Sequence, residues 1–152
     1  MNSNECLYCN KDDTYLRTMM SFIMDLPSAK VYLWTKNSDY PGRCIVALDN
    51  HKTEIFYLET KERHDFFDSV SIVANAMKNA TNAGKINYGI YGDEVSHLHV
   101  HLVPKIKDGK DWNKYFTVTR DDYNKPMQTK EIEAWTEKLK SEINSLIQNK
   151  KD

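Results

Sequence analysis

One segment of the chain alternates polar and apolar residues without a break. It runs from His97 to Val103, where three histidines alternate with Leu98, Val100 and Leu102. Successive side chains on a β-strand point to opposite faces, and same-face neighbours lie roughly 6.5–7 Å apart because each residue rises about 3.3 Å. The pattern therefore predicts a strand, from residue 95 or 96 to residue 103, with its three imidazoles on one face.

Further apolar runs predict the neighbouring strands. These runs are rich in β-branched and aromatic residues and lie at 29–35, 43–48 and 86–91. Turn-forming residues at 36–42 separate the first two runs, so we expect an antiparallel hairpin there. The third run meets the histidine segment through Gly92-Asp93-Glu94, which predicts a second hairpin with Asn87 near its histidine-bearing end.

Two longer segments show helical periodicity. Residues 60–81 and about 128–149 each carry an apolar stripe at helical spacing. A dense apolar segment at 13–26 is expected to form a short helix or a strand that packs on the core. The elements together predict an α+β fold, with an antiparallel sheet of about five strands and two main helices. No linker or repeat divides the sequence, so we expect a single domain over residues 1–152.

The composition indicates a globular protein without a general affinity for nucleic acid. Hydrophobic residues make up 40% and charged residues 28% of the chain, and 21 Lys and Arg balance 22 Asp and Glu. A net charge of −1 offers no overall attraction to nucleic acid or to a membrane surface, so an anionic substrate must be held by a local site. No apolar run approaches the roughly 18 residues of a membrane span, and the segment 1–5 does not resemble a secretory signal. We therefore expect a cytoplasmic protein.

Two of the three cysteines form a Cys-x-x-Cys pair, Cys6 and Cys9. In a reducing cytosol such a pair indicates metal or redox chemistry rather than a disulfide framework. A redox motif would need a βαβ context, which the following sequence lacks, and a zinc site needs about four ligands in all. Cys44 and His64 are rival candidates for the remaining ligands. Cys44 lies inside a predicted strand, which favours a buried thiol, and His64 opens a predicted helix, which favours a solvated side chain.

Closely spaced imidazoles suit phosphoryl chemistry for a physical reason. Attack at a nucleotide α-phosphate needs an uncharged nucleophile, a proton donor for the leaving group and positive charge around the phosphate oxygens. A neutral imidazole supplies the first and an imidazolium supplies the other two, because the pKa of histidine lies near neutrality. At strand spacing, three imidazoles can surround one small anionic group or share a metal ion, and both interpretations stay open at this point.

The segment from His97 to Val103 resembles the signature of the histidine-triad superfamily of nucleotide hydrolases and transferases. That signature is His-φ-His-φ-His-φ-φ, where φ is apolar, and all seven positions match. Asn87, Gly92 and Val95 fit the frame that the family usually places before its triad. The N-terminal Cys-x-x-Cys is similar to that of the zinc-containing, bacterial-type branch of the family.

Two residues before the triad depart from the family pattern. Asp93 stands where the family usually has Gln, and Glu94 stands where it usually has Ser or Thr. Carboxylates beside a phosphate site would repel an anionic substrate. Asp93 therefore either faces the phosphates or turns toward Lys85 or the Gly92 backbone to hold the turn, and we expect the turn-holding role.

The resemblance implies roles for the site residues. It makes His99 the nucleophile, which forms a transient nucleotidyl-histidine. It implies that His101 contacts phosphate and assists the leaving group, and that Asn87 belongs to the nucleotide-binding residues with these two histidines. Because one imidazole cannot both bind metal and donate to phosphate, His97 has a single role, and we expect it to bind metal as in the zinc branch.

The zinc branch also implies the remaining ligands. A histidine just beyond the second strand binds the metal there, and His51 is the corresponding residue here. The implied ligand set is Cys6, Cys9, His51 and His97. Zinc at this site would be structural, because the phosphoryl chemistry needs no metal, and it would tether the N-terminal segment to the sheet.

The resemblance implies an enzyme that works at the α-phosphate of a nucleoside phosphoramidate or a dinucleoside polyphosphate, as a hydrolase or a nucleotidyl transferase. It also implies a nucleotide substrate and a homodimer whose sheet continues across the subunits. Two alternatives stay open. A nucleotide-binding or sensor protein with little turnover is favoured by the acidic residues before the triad. A catalytic zinc enzyme could use the three histidines as ligands, although the cysteine pair favours a closed structural site.

Overall fold

The computed structural model describes residues 6–10, 13–36, 39–117 and 125–149 of the 152-residue chain. Within these ranges, five strands and three α-helices follow one another along the sequence. In chain order they are α1 (Thr14–Met19), β1 (Met20–Leu26), β2 (Ala29–Trp34), β3 (Cys44–Leu48), α2 (Thr60–Thr81), β4 (Lys85–Ile90), β5 (His99–Lys105) and α3 (Thr129–Asn149). Among the described residues, no helix is both long enough and apolar enough to cross a bilayer.

The strands form one antiparallel sheet in the order β1-β2-β3-β5-β4. The predicted α+β fold with about five strands is therefore confirmed. Strand β5, which carries two of the triad histidines, lies inside the sheet between β3 and β4. Ala47 is opposite His99, and Ile45 is opposite His101. An interior strand bonded on both sides holds its side chains in fixed positions, which suits a strand that carries the histidines of a candidate site.

The middle of the sheet is covered on both faces, and β3 shows how the sequence achieves this. Cys44, Val46 and Leu48 pack into the core that the sheet forms with α2 and α3. Ile45 and Ala47 point to the opposite face and pack against the N-terminal segment around Cys6–Asn10 and against α1. Because neighbours on a strand face opposite ways, a strand covered on both faces has no polar side, and all five residues of β3 are buried.

Helix α2 begins and ends where the sequence predicted, at Thr60 and Thr81. Its apolar stripe packs into the main core through Phe66, Val73 and Met77, each with no exposed surface. Asn82 follows in the left-handed conformation, with φ of 55°, and ends the helix. The C-terminal helix α3 packs against α2 and β1 and closes the same core through Leu139 and Ile143.

Two predicted elements differ in detail. The apolar segment 13–26, expected to form either a helix or a strand, contains both, because α1 runs directly into β1 at Met20. The triad strand was predicted to begin at residue 95 or 96, but β5 begins at His99 and runs to Lys105. His97 therefore lies just before the strand, where its contacts with the N-terminal segment, rather than the pleat of the sheet, set its direction.

Candidate functional site

A cavity of about 350 Å³ opens beside β5, on the sheet face that carries the N-terminal segment. Its polar lining residues, called the polar wall below, are His99, His101 and Arg43, and the acidic pair Asp93 and Glu94 also lines the cavity. Its apolar and aromatic lining residues, called the apolar wall below, are Leu7, Tyr8, Tyr15, Met19, Met20, Trp34, Tyr91, Val95 and Phe116. A lining that combines polar and apolar side chains suits an amphipathic ligand.

The backbone fixes the tautomer of His99. Its Nδ1 lies 2.6 Å from the carbonyl oxygen of His97, and a carbonyl oxygen only accepts, so Nδ1 carries the proton. In the neutral ring the lone pair is then on Nε2. Burial lowers the pKa of the His99 imidazole, because desolvation penalises the charged form. His99, only 5% exposed, is therefore held as a neutral imidazole whose Nε2 keeps its lone pair.

His101 receives a hydrogen bond from a side chain rather than from the backbone. Nη2 of Arg43 lies 3.0 Å from its Nδ1, and the ring centroids of His99 and His101 are 5.0 Å apart. The aromatic rings of Tyr91 and Phe116 lie on its other sides, at 5.6 and 6.5 Å between centroids. Two triad imidazoles and one guanidinium thus converge on the same cavity.

Four side chains meet at a separate cluster beneath the triad strand: Cys6, Cys9, His51 and His97. One ligand atom from each lies within 4.8 Å of all the others. Nδ1 of His97 is 3.3 Å from Sγ of Cys6, 3.6 Å from Sγ of Cys9 and 3.3 Å from Nδ1 of His51. Sγ of Cys9 is also 3.3 Å from Nδ1 of His51.

These distances are those of a tetrahedral zinc site. With bonds of about 2.3 Å to sulfur and about 2.05 Å to nitrogen, tetrahedral geometry places sulfur about 3.6 Å from nitrogen and the two nitrogens about 3.3 Å apart. Two thiols and two imidazoles form a closed set of four ligands, without an open position for a substrate. The donor set and its geometry therefore fit a structural Zn²⁺.

A hydrogen bond outside the cluster orients His97 for metal binding. Its Nε2 donates to the carbonyl oxygen of Leu48 at 2.7 Å, which leaves the Nδ1 lone pair directed at the cluster. Burial, with smaller effects from His51 and His99, lowers the pKa of His97 to about 4, so the imidazole is neutral as a ligand must be. Both ring nitrogens are engaged, and His97 is not among the residues that line the cavity.

A tight turn brings the two cysteines together and carries an aromatic ring to the triad. The amides of Cys9 and Asn10 both donate to the carbonyl oxygen of Cys6 at 3.0 Å, which closes the turn. Tyr8, between the cysteines, is 7% exposed, and its ring centroid lies 5.2 Å from that of His97 and 5.1 Å from that of His99. The metal cluster and the triad therefore share one buried aromatic residue.

Asn87 lies farther from the triad than the sequence predicted. In the β4–β5 pairing Gly89 is opposite His101, and Asn87 is opposite Val103. Asn87 lines an adjacent open cleft with Lys85, and the cleft shares Tyr91 and Phe116 with the triad cavity. The expectation that Asn87 lies at the histidine-bearing end of the hairpin is corrected by this register.

Asp93 and Glu94 are exposed and line the triad cavity. Lys85, the alternative partner expected for Asp93, lines the adjacent cleft instead. This position favours the substrate-facing alternative for Asp93 over the turn-holding role.

Three residues of the site were not singled out from the sequence: Tyr8, Trp34 and Arg43. Tyr8 had a local signal, because it lies between two predicted ligands of one metal. A metal that binds both cysteines also holds the residue between them close to its other ligands, such as His97. Arg43 had a weaker signal, as a charged residue at the start of a wholly apolar strand, where it must find partners. Trp34 carried none, since an aromatic residue in a strand is ordinary core composition.

Comparisons with known proteins agree with this geometry. The family model described as the HIT domain matches residues 21–108, which is more than half of the chain. The chain therefore belongs to the HIT, or histidine-triad, family. Among curated proteins, none matches the sequence.

Solved structures of histidine-triad proteins share the fold. A histidine triad protein from Sinorhizobium meliloti is 22% identical, with a TM-score of 0.73 over 86% of this chain and 94% of that one. A Zn-bound histidine triad family protein from Mycobacterium smegmatis is 15% identical, with a TM-score of 0.63 over 97% and 99% of the two chains. The diadenosine triphosphate hydrolase of Plasmodium falciparum is 18% identical, with a TM-score of 0.59 over 82% and 76%.

Proposed function

We propose that the protein is a nucleotide hydrolase or nucleotidyl transferase that acts at the α-phosphate of a nucleoside phosphoramidate or a dinucleoside polyphosphate. The observation that carries this proposal is the state of His99, a buried neutral imidazole whose Nδ1 is bound to a carbonyl and whose Nε2 keeps its lone pair. Membership of the HIT family and the likeness to a diadenosine triphosphate hydrolase support the same class of reaction.

The first step is attack by the Nε2 lone pair of His99 on the α-phosphorus. A bond forms between Nε2 and phosphorus, and the bond between phosphorus and the leaving group breaks, with its electron pair departing on the leaving group. His101 contacts the phosphate oxygens and assists the departure. The proton of His99 stays on Nδ1 and is donated in a hydrogen bond to the carbonyl oxygen of His97, which stabilises the positive charge that the ring acquires.

The second step returns the enzyme to its starting state. Water attacks phosphorus and releases one proton to the solvent, the bond to Nε2 breaks with its electron pair returning to His99, and the nucleoside monophosphate leaves. In a transferase, another hydroxyl or amine takes the place of water. The apolar wall of the cavity, with Trp34 and two methionines, offers a surface for the base while the phosphate lies against the histidines.

Zinc takes no part in these steps in our proposal. Held by Cys6, Cys9, His51 and His97, the ion would supply a cross-link that fixes the N-terminal segment, and Tyr8 with it, against the triad. Such thiolate ligation requires a reducing environment, which is why we propose a cytoplasmic location. Burial and the neighbouring Cys6 raise the pKa of Cys9 to about 11, so zinc binding would release a proton from this thiol.

The alternatives are weighed by the same contacts. A catalytic zinc held by the three triad histidines is disfavoured, because His97 directs its Nδ1 to the cluster with Cys6, Cys9 and His51 and does not line the cavity of the other two. A nucleotide sensor with little turnover is the second candidate, and the acidic residues along the cavity favour it. Turnover separates the sensor from the enzyme.

We also propose that the protein forms a homodimer whose sheet continues across the subunits. Strand β4 is an edge of the sheet and exposes Tyr88 and Ile90. An edge strand with exposed apolar side chains is a ready surface for pairing with another chain. Light scattering should give twice the chain mass, and Ile90→Lys should reduce that mass toward the monomer; a monomeric wild-type protein contradicts the proposal. The predicted single domain over residues 1–152 likewise stays a proposal.

The test of the proposed function is turnover of adenosine phosphoramidates and dinucleoside polyphosphates, followed by product chromatography. His99→Ala should lower kcat by about 10⁴-fold or more, as removal of a covalent nucleophile does. The matched control is His64→Ala, because His64 is exposed on α2 and away from the cavity. Binding of these substrates without turnover would support the sensor, and near-normal rates in His99→Ala would exclude the covalent mechanism.

A further inference from the structure

Arg43 is a buried cation at the polar wall of the cavity. It is 3% exposed and directly precedes β3. Its guanidinium carbon lies 4.4 Å from the ring centroid of Trp34 and 5.7 Å from that of Phe116. Aromatic faces stabilise a guanidinium in a desolvated place by cation–π contact, and arginine stays charged there because its pKa lies above 12.

The contact between Arg43 and His101 determines which nitrogen of His101 carries the proton. A guanidinium has donors and no acceptor, so Nη2 donates to Nδ1 across the 3.0 Å between them. Nδ1 is then unprotonated, and the proton of the neutral ring lies on Nε2. Protonation of Nδ1 would set two N–H groups against each other. Burial, and after it the charge of Arg43, lower the pKa of the His101 imidazole, which also favours the neutral ring.

The cavity needs a fixed positive charge, because Asp93 and Glu94 bring two negative charges to it. His101, whose Nδ1 accepts from Arg43, is uncharged in that contact and does not supply one. Among the described residues that line it, Arg43 is the only Lys or Arg. Negative charge on the equatorial oxygens must be balanced as the nucleophile approaches phosphorus, and a guanidinium fork matches phosphate geometry.

We propose that Arg43 holds His101 in its Nε2–H tautomer and supplies the permanent positive charge of the α-phosphate site. The inference rests on the proposed function for the identity of the phosphate ligand. It assigns the positive charge that holds the phosphate to Arg43, directly before β3, rather than to the triad histidines. His101 then acts as a neutral Nε2–H donor to a phosphate oxygen, and Arg43 decides how strongly the cavity prefers a charged phosphate.

The tautomer is tested in the wild-type protein by long-range ¹H–¹⁵N correlation spectra of ¹⁵N-histidine at pH 7. The His101 signals are assigned from their loss in His101→Gln. We expect an unprotonated Nδ1 and a protonated Nε2. The opposite tautomer, or an imidazolium, overturns the inference, and this measurement depends neither on turnover nor on the folding of any Arg43 variant.

Three substitutions of Arg43 separate its two roles, the positive charge at the phosphate and the hydrogen bond to His101. Arg43→Lys keeps the charge, Arg43→Gln keeps a donor for His101 without charge, and Arg43→Met keeps neither. The affinity for AMP and kcat/KM should fall in that order, by about 10²-fold for Arg43→Gln and further for Arg43→Met. Arg63→Gln is the control, because Arg63 contacts the Leu58 carbonyl at the start of α2.

The outcomes separate the inference from the proposed function. Only Arg43→Met should disturb the His101 tautomer, whereas both neutral variants should weaken AMP binding. Equal AMP affinity and kcat/KM in wild type and Arg43→Gln would overturn the role of the charge even if the enzyme is active. If the wild type binds AMP through Arg43 but turns over no substrate, the inference stands and the proposed enzyme function fails.

Discussion

Loss of the zinc cross-link should lower the stability of the protein by a predictable amount. Cys9→Ala removes one of the four ligand atoms that lie within 4.8 Å of one another. The remaining three ligands form a far weaker site, so the variant should purify without metal, whereas the wild type carries about one Zn²⁺ per chain. The N-terminal turn then loses its covalent-like attachment to the sheet.

The size of the effect follows from the length of chain that the metal closes. Cys9 and His51 are 42 residues apart, and a cross-link over a loop of that length removes roughly 4 kcal/mol of unfolded-chain entropy by the relation used for disulfides. In a chain of this size, 1 kcal/mol moves Tm by about 2–4 °C, so loss of this closure, together with the 46-residue closure between His51 and His97, should lower Tm by roughly 8 °C or more.

The assay combines metal analysis with thermal unfolding. Cys44→Ala is the matched control, because Cys44 is buried in β3 outside the cluster and should keep its zinc at a cost of about 1 kcal/mol. Turnover by Cys9→Ala should persist at temperatures below its own Tm, with kcat/KM lowered by no more than the roughly 10²-fold expected for loss of the Tyr8 contact with His99. A wild type without metal and with the same Tm as Cys9→Ala would refute the site, and loss of turnover on chelation without unfolding would favour a catalytic zinc.

Three further outcomes are expected. Asp93→Asn should raise kcat/KM for dinucleoside polyphosphates by about threefold to tenfold at low salt, and much less at high salt, because Asp93 lines the cavity. An unchanged kcat/KM with a lower Tm would instead support the turn-holding role. Tyr8→Ala should lower kcat/KM by about 10²-fold while zinc is retained, because the Tyr8 ring packs on His99. Tyr8→Phe is the control, and equal activity of the wild type, Tyr8→Ala and Tyr8→Phe would contradict this role. Hydrogen bonds from Asn50 and Lys52 lower the pKa of Glu62, so its stabilisation is complete above about pH 4.5 and is lost as pH falls through the folded-state value. Glu62→Gln should therefore lower Tm more at pH 7 than at pH 3, and an equal difference at both values would contradict it.

Local sequence patterns predicted most of the fold and the histidines of the candidate site. The alternation at residues 97–103 and the long stripe of α2 are short-range periodicities, and both elements are present. The Cys-x-x-Cys pair is likewise local, since one turn brings its thiols together. A structural zinc site and the family were therefore predictable, and both predictions are confirmed.

The remaining features depend on strand pairing between distant segments. Arg43 reaches His101 only because β3 lies beside β5, and no short-range pattern records that neighbour. The register of β4 against β5 places Gly89 rather than Asn87 opposite His101. His97 leaves the strand because its ligand partners come from the N-terminal turn and from His51, 46 residues away in the sequence.

The most direct test of the account is to trap the covalent intermediate. Wild-type protein mixed with an adenosine phosphoramidate and quenched within milliseconds should gain the mass of one adenylyl group, and peptide mapping should place that group on His99. The adduct should be acid-labile, and it should be absent from His99→Ala and present in His64→Ala. Product formation without any adduct, or an adduct on another residue, would contradict a mechanism built on the neutral Nε2 of His99.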